Sequence, residues 1–282
     1  MLKERLIQYA LLALAFSAVA SLAVITVFIF REGVPILVSE GLWSFLTGRS
    51  WAPTRGEFGI LPMILGSLWV TFGALLLGVP LGLAVAVFVT DYSPRLLSDI
   101  LRPAVQLLAG IPSVIYGFIG LKVLVPAIRV SLGSPGLSVL AGALVLGIMI
   151  LPNVIAISED AIRAVPRSYR DGALALGATK WQTLWRVVIP AARSGIVASI
   201  VLGMGRAIGE TMAVIMVVGN SLRLPLSPLD PATTLTSNIG LEMGYASGAH
   251  RQALFATGIV LFVFIIVLNS AATAFRRRMA RA

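Results

Sequence analysis

Long uninterrupted apolar stretches set the first constraint on this chain. Six of them, at 6–30, 60–90, 103–125, 137–157, 194–218 and 252–274, reach or exceed the ~20 residues a helix needs to cross a bilayer. Backbone N–H and C=O groups in hydrocarbon must find partners within their own segment, so runs of this length fold as helices. Composition agrees: 58% of residues are hydrophobic and 12% charged, against ~25% charged in a soluble domain. The expected fold is all-α and polytopic, with six transmembrane helices in a single membrane domain over residues 1–282. The first run exceeds the ~7–15 residues of a signal-peptide core, so a retained helix is expected.

Basic residues fix the expected orientation. Six spans put both termini on one side, with the connections at 91–102 and 158–193. That side collects fourteen lysines and arginines, including Arg276, Arg277, Arg278 and Arg281, against six on the other. The positive-inside bias then places the N and C termini in the cytoplasm. The external loops are 31–59 and 220–250. Most of the net charge of +10 follows from this bias and needs no nucleic acid to explain it. The chain has no cysteine and one histidine, His250, expected as a solvated loop residue without companions for a metal. It has no GxxxxGK[ST] phosphate loop, so any ATP-driven step belongs to another chain. Neither a cofactor nor a catalytic constellation is expected. Lys122 falls near the end of the third run, where its stem can reach the interface.

Arg206 and Glu210 lie inside the fifth run, in the stretch Gly203-Met204-Gly205-Arg206-Ala207-Ile208-Gly209-Glu210-Thr211-Met212. Each charge costs about 2.5–3.5 kcal/mol at the bilayer centre on insertion scales. Four residues apart, they are expected one turn above the other on one helix face. Two readings stand: an ion pair that holds a helix bundle together, or the lining of an ion or substrate pathway. Gly205 and Gly209 beside them form a GxxxG pair that lets another helix approach closely.

The connection at 158–193 reads as two short amphipathic helices, 169–176 and 180–188, broken at Gly177. Trp181, Leu184, Trp185 and Val188 recur at helical spacing. Such helices suit either a lipid surface or a groove on a partner protein.

The segment resembles the cytoplasmic loop of ABC-importer permease subunits, which reads Glu-Ala-Ala, three residues, Gly, nine residues, then Ile-x-Leu-Pro. Here Asp171-Gly172-Ala173 is followed by three residues, Gly177, nine residues, and Val187-Val188-Ile189-Pro190. Gly172 in place of alanine weakens the helix by about 1 kcal/mol. The resemblance implies that Asp171, Gly172, Ala173, Gly177 and Pro190 belong to a surface that docks on a separate ATPase. Three further stretches resemble the phosphate-importer permeases, the PstC type more than the PstA type. They are Trp51-Ala52-Pro53 with 58–67, Gly110-Ile111-Pro112-Ser113-Val114-Ile115-Tyr116-Gly117, and Arg206-Ala207-Ile208-Gly209-Glu210-Thr211-Met212-Ala213-Val214.

That resemblance implies an ATP-driven phosphate permease of the bacterial plasma (inner) membrane. Its partners would be a second permease, two ATP-binding subunits, an external phosphate-binding protein and membrane lipid. Arg206 would contact phosphate, whose oxygens suit the guanidinium fork, with Glu210 as its counter-charge. A permease for phosphonate, sulfate or molybdate is the nearest alternative, and a non-transporting scaffold or sensor of phosphate status another. A membrane-embedded enzyme would need a nucleophile and base, or a metal cluster, beside Arg206 and Glu210; neither is in the sequence around them.

Overall fold

The computed structural model describes residues 2–281, with side chains for 5–271, 273 and 274. The side chains of Lys3, Arg276, Arg277, Arg278 and Arg281, which enter the charge bias, lie outside the described set. Among the described residues, six helical stretches are long and apolar enough to cross a membrane: Arg5–Glu40, Leu61–Tyr92, Ser113–Leu132, Val139–Arg163, Lys180–Gly209 and Gly248–Ala271.

α1 (Leu2–Glu40) continues past its apolar run, so 31–40 is helix where a loop is expected. Contacts with the C-terminal helix hold it: Phe28 meets Phe255 and Phe30 meets Phe262, both edge to face, and Arg251 reaches Glu32 at 3.5 Å. α2 (Leu42–Thr47) leads to a hairpin of β1 (Trp51–Ala52) and β2 (Glu57–Phe58), in which Trp51 pairs with Phe58. Trp51 Nε1 donates to Glu242 at 2.9 Å, and His250 Nε2 shares the same carboxylate oxygen at 2.7 Å. His250 is therefore a largely buried tie between the hairpin and the last span, where a solvated loop residue is expected.

α3 (Leu61–Val87) is extended by a π turn, Phe88–Tyr92. The run at 103–125 is not one span. Pro112 keeps Ile111 extended, at φ −70° and ψ 126°, so α4 (Arg95–Gly110) stops there. The third span is built from α5 (Ser113–Ile119), a π turn Gly120–Leu124 and α6 (Val125–Leu132). Lys122 lies within it rather than near its end, its ammonium 6.0 Å from the Phe118 ring. α7 (Val139–Arg163) then carries the fourth span beyond its apolar run, so 158–163 is helix. Glu159 near its end is 8% exposed; Arg102 and Arg163 both reach its carboxylate, at 2.7 and 2.9 Å, tying α4 to α7.

After α7 come α8 (Arg167–Ala175), α9 (Lys180–Thr183), a π turn Leu184–Val188 and α10 (Ile189–Gly209). α11 (Met212–Val217) and α12 (Leu235–Glu242) flank an irregular segment, and α13 (Gly248–Arg281) closes the described chain.

α7 is the axis of the bundle: 61% of its apolar window is buried, whereas none of the corresponding window of α1 is. α3 packs along it at backbone distance, because a Cβ on Gly78 would sit 2.7 Å from the Gly147 carbonyl. α10 packs on its other flank, with a buried Ser158–Ser199 hydroxyl pair at 2.9 Å worth about 0.6 kcal/mol in a membrane interior. The N–H groups before and at the start of α7 need partners. The loop 219–234 and the end of α11 supply them: Ser138, Val139 and Leu140 donate to Val217, Asp230 and Pro228 at 3.2, 3.0 and 2.8 Å.

Gly78→Leu forces α3 off α7 and is expected to cost about 1–3 kcal/mol or more. Gly172→Ala, into open space, is expected to be neutral or slightly stabilising. Thermal midpoints of the purified protein in detergent check both.

Candidate substrate pathway and coupling surface

Arg206 occupies the last turn of α10 and is half-buried. Glu210 does not continue that helix. Its backbone is extended, at φ −72° and ψ 128°, and its N–H donates to Ala207 O at 3.3 Å. One local and one tertiary contact fix this ending. The Glu210 carboxylate accepts the Ala213 N–H at 3.2 Å, capping the first turn of α11, and the Glu210 carbonyl accepts the Thr236 hydroxyl at 2.8 Å. The expected alignment of Arg206 and Glu210 on one helical face is thus corrected: the break at 210 re-aims the carboxylate towards α11. Among the described residues no ion pair joins Arg206 and Glu210 within 4.0 Å. The Tyr116 hydroxyl donates to the Leu108 carbonyl at 2.8 Å and bridges the Pro112 break.

Gly205 and Gly209 sit on the same helix end. A Cβ at either would meet nothing within 4 Å among the described residues. The GxxxG face is therefore not packed against any of the described residues.

Of the segment 158–193, residues 158–163 end the fourth span and the helix from Lys180 begins the fifth, so α8 and the turn at Gly177 are what lie between them, where two separate short helices are expected. Asp171, Gly172 and Ala173 lie in α8. Gly177, at φ 84°, ends that helix: its N–H donates to Leu174 O at 2.9 Å and the Ala178 N–H to Ala173 O at 3.1 Å. This paired closure needs a left-handed residue, which glycine adopts without a Cβ penalty. Thr179 and Gln182 then cap each other's backbone at 3.2 and 2.9 Å and start the next helix. From Lys180 the helix runs unbroken to Gly209. Pro190 is absorbed near the start of α10, directly after the π turn. Leu176, Trp181 and Trp185 are 91%, 58% and 48% exposed, an apolar surface that nothing in the described chain covers. Arg170 turns the other way and pairs with Asp91. Burial pulls its guanidinium down from the ordinary value, yet an arginine keeps its proton.

Residues 78–281 match the family described as binding-protein-dependent transport system inner membrane component. The chain belongs to that family. Members of this permease family are multi-pass inner-membrane subunits without catalysis of their own, working with a partner permease, an ATPase and a substrate-binding protein. A probable ABC transporter permease protein, YqgH, of Bacillus subtilis (strain 168) is 43% identical over 91% of this chain and 87% of its own length. A phosphate transport system permease protein PstC of Mesorhizobium japonicum is 38% identical over 93% and 89%. Solved permease folds agree. The MetNI methionine ABC transporter in an inward-facing conformation superposes at TM-score 0.64, 20% identity, over 82% of this chain and 99% of that one. A bacterial ABC transporter for alginate import superposes at 0.66, 16% identity, over 94% and 95%.

Three features of this permease escape sequence reasoning: the helix end at Glu210, the Thr236 contact that secures it, and the Asp91–Arg170 pair across 79 residues. The first carries a local signal, Gly209 followed by Thr211. The others depend on side chains brought together from distant elements.

Because Glu210 acts as a cap, Glu210→Gln keeps an acceptor for the Ala213 N–H and is expected to hold the thermal midpoint. Glu210→Ala loses it, at about 0.5–2 kcal/mol. Equal midpoints for the two variants would contradict the cap.

Proposed function

We propose that this chain is the transmembrane permease subunit of an ATP-driven phosphate importer, with Arg206 as its phosphate contact. The observation that carries this reading is the single helix from Lys180 to Gly209. One end bears the exposed apolar surface of the coupling segment, and the other bears a half-buried arginine at membrane depth. A docked ATPase moving the first end moves the second as a lever. Phosphate transport is what several relatives are named for, which supports phosphate over phosphonate, sulfate or molybdate.

Arg206 suits the task chemically. A guanidinium gives planar, bidentate hydrogen bonds to oxyanions, and with Glu210 engaged by α11 it carries no competing carboxylate. The cost of a membrane arginine is offset when its side faces a water-filled path between two chains. The open faces of Gly205 and Gly209 favour a helix of the second permease as the other wall. The full assembly is two permeases, two ATP-binding subunits and an external phosphate-binding protein. The termini and α8 are cytoplasmic by the charge bias, and the segments 31–59 and 220–250 face the binding protein. Asp171, Gly172, Ala173, Gly177 and Pro190 form or shape the ATPase-docking surface.

ATP-dependent uptake of labelled phosphate by the reconstituted complex tests the substrate. Uptake indifferent to unlabelled phosphate, but competed by another oxyanion, reassigns it. Arg206→Ala is expected to reduce uptake to background while the complex still co-purifies, and Arg206→Lys to retain a fraction. Gly177→Val forces a β-branched residue into a left-handed backbone at about 1–2 kcal/mol. Its expected signature is continued ATP hydrolysis with less phosphate moved per ATP.

A further inference from the structure

Asp91 lies in the π turn that ends the second span. Arg170 of α8 donates one guanidinium nitrogen to Asp91 Oδ1 and another to the Ile162 carbonyl at 3.3 Å. One side chain therefore joins three elements: the end of the second span, the end of α7 and the coupling helix α8. The Asp91 and Arg170 side chains keep only 15% and 24% of their exposure, so water screens the pair far less than a surface ion pair. A second observation falls at the same place. Asp91 Oδ2 and Thr183 Oγ1 are buried without partners. Both residues line a cavity of about 170 Å³, together with Tyr92, Arg170, Lys180 and Leu184. Thr183 is the residue immediately before the π turn of the helix that carries Arg206.

Covalently, α8 connects to that helix only through residues 176–179, around the left-handed Gly177. The link from α8 to the second span, by contrast, runs through the Arg170 and Asp91 side chains. We propose that Asp91 is a positioning residue for coupling, clamping α8 through Arg170 to the end of α3, so that displacement of the loop moves α3 and α10 together. The inference rests on the reading of the chain as an ATP-driven permease and adds the residue pair that gives the loop its grip on the second span.

The test uses the complete complex in proteoliposomes, reading phosphate moved per ATP hydrolysed. Asp91→Ala and Arg170→Ala are each expected to lower that ratio threefold or more, with hydrolysis within twofold of the unaltered complex. The exchange of both charges, Asp91→Arg with Arg170→Asp, is expected to recover at least half. The chain contains no cysteine, and Tyr92 and Leu174 line the same cavity from α3's end and from α8, so Tyr92→Cys with Leu174→Cys is the pair to bridge with a short bis-maleimide in otherwise thiol-free subunits. The bridge is expected to leave the ratio intact in the otherwise unaltered chain and to restore it in Arg170→Ala. Unchanged ratios in both alanine variants overturn the clamp. So does a parallel fall of uptake and hydrolysis that the charge exchange fails to repair. A bridge that halts the otherwise unaltered transporter overturns it too, because α8 must then slide on α3; this arm decides if the alanine variants do not assemble. Failure of the unaltered complex to take up phosphate counts against the substrate reading instead, and the ratio is then measured with the oxyanion it does carry.

Discussion

Backbone contact between α3 and α7 is the interaction on which the other helices depend. Lipid tails are as apolar as leucine side chains, so helices in a bilayer are not driven together by hydrophobic burial. They associate where small residues permit many short contacts. Gly78 and Gly82 of α3 provide such a seam, against the Gly147 carbonyl and the Val154 side chain. With that pair fixed, α7 presents Ala161 to Gly195 and Ser158 to Ser199, which seats α10. The loop 219–234 then caps the start of α7. α1, outside this frame, touches chiefly α13 and leaves its apolar surface facing outward.

The end of α10 shows how contacts beyond the helix set the direction of a charged side chain. A helix continued through Glu210 would place opposite charges one turn apart and hold them together in a low-dielectric setting. Instead the carboxylate caps α11 and Thr236 takes the carbonyl. Arg206 is left in the last turn of a helix whose other end carries the exposed Trp181 and Trp185. α12, which bears Thr236, also reaches the hairpin through Glu242 and Trp51. Contacts from the hairpin therefore run to within four residues of Arg206.

Much of this was legible in the sequence. Six spans, the all-α class and the segment 158–193 with its turn at Gly177 follow from residue order, because apolar length and left-handed glycine closures are local properties. The 91–102 connection, by contrast, does not reveal Asp91 as a partner of Arg170. The run at 103–125 hides a surface helix and a break at Pro112 under one apolar stretch. Apolar length also misplaced several ends: α1 continues to Glu40, α7 to Arg163, and the helix of α9 and α10 begins at Lys180 rather than in the apolar run.

What the sequence determined alone is what a bilayer demands of any chain: how many segments must become helices, and which charges are too costly to be incidental. Which way those charges point was decided by tertiary structure. Arg206 and Glu210 are four residues apart in every conformation, but whether they meet depends on Ala213 and Thr236 competing for the same glutamate. A local cap on Ala213 and a hydrogen bond from Thr236, 26 residues away, outweigh one more helical turn there, and only the folded chain brings Thr236 within reach.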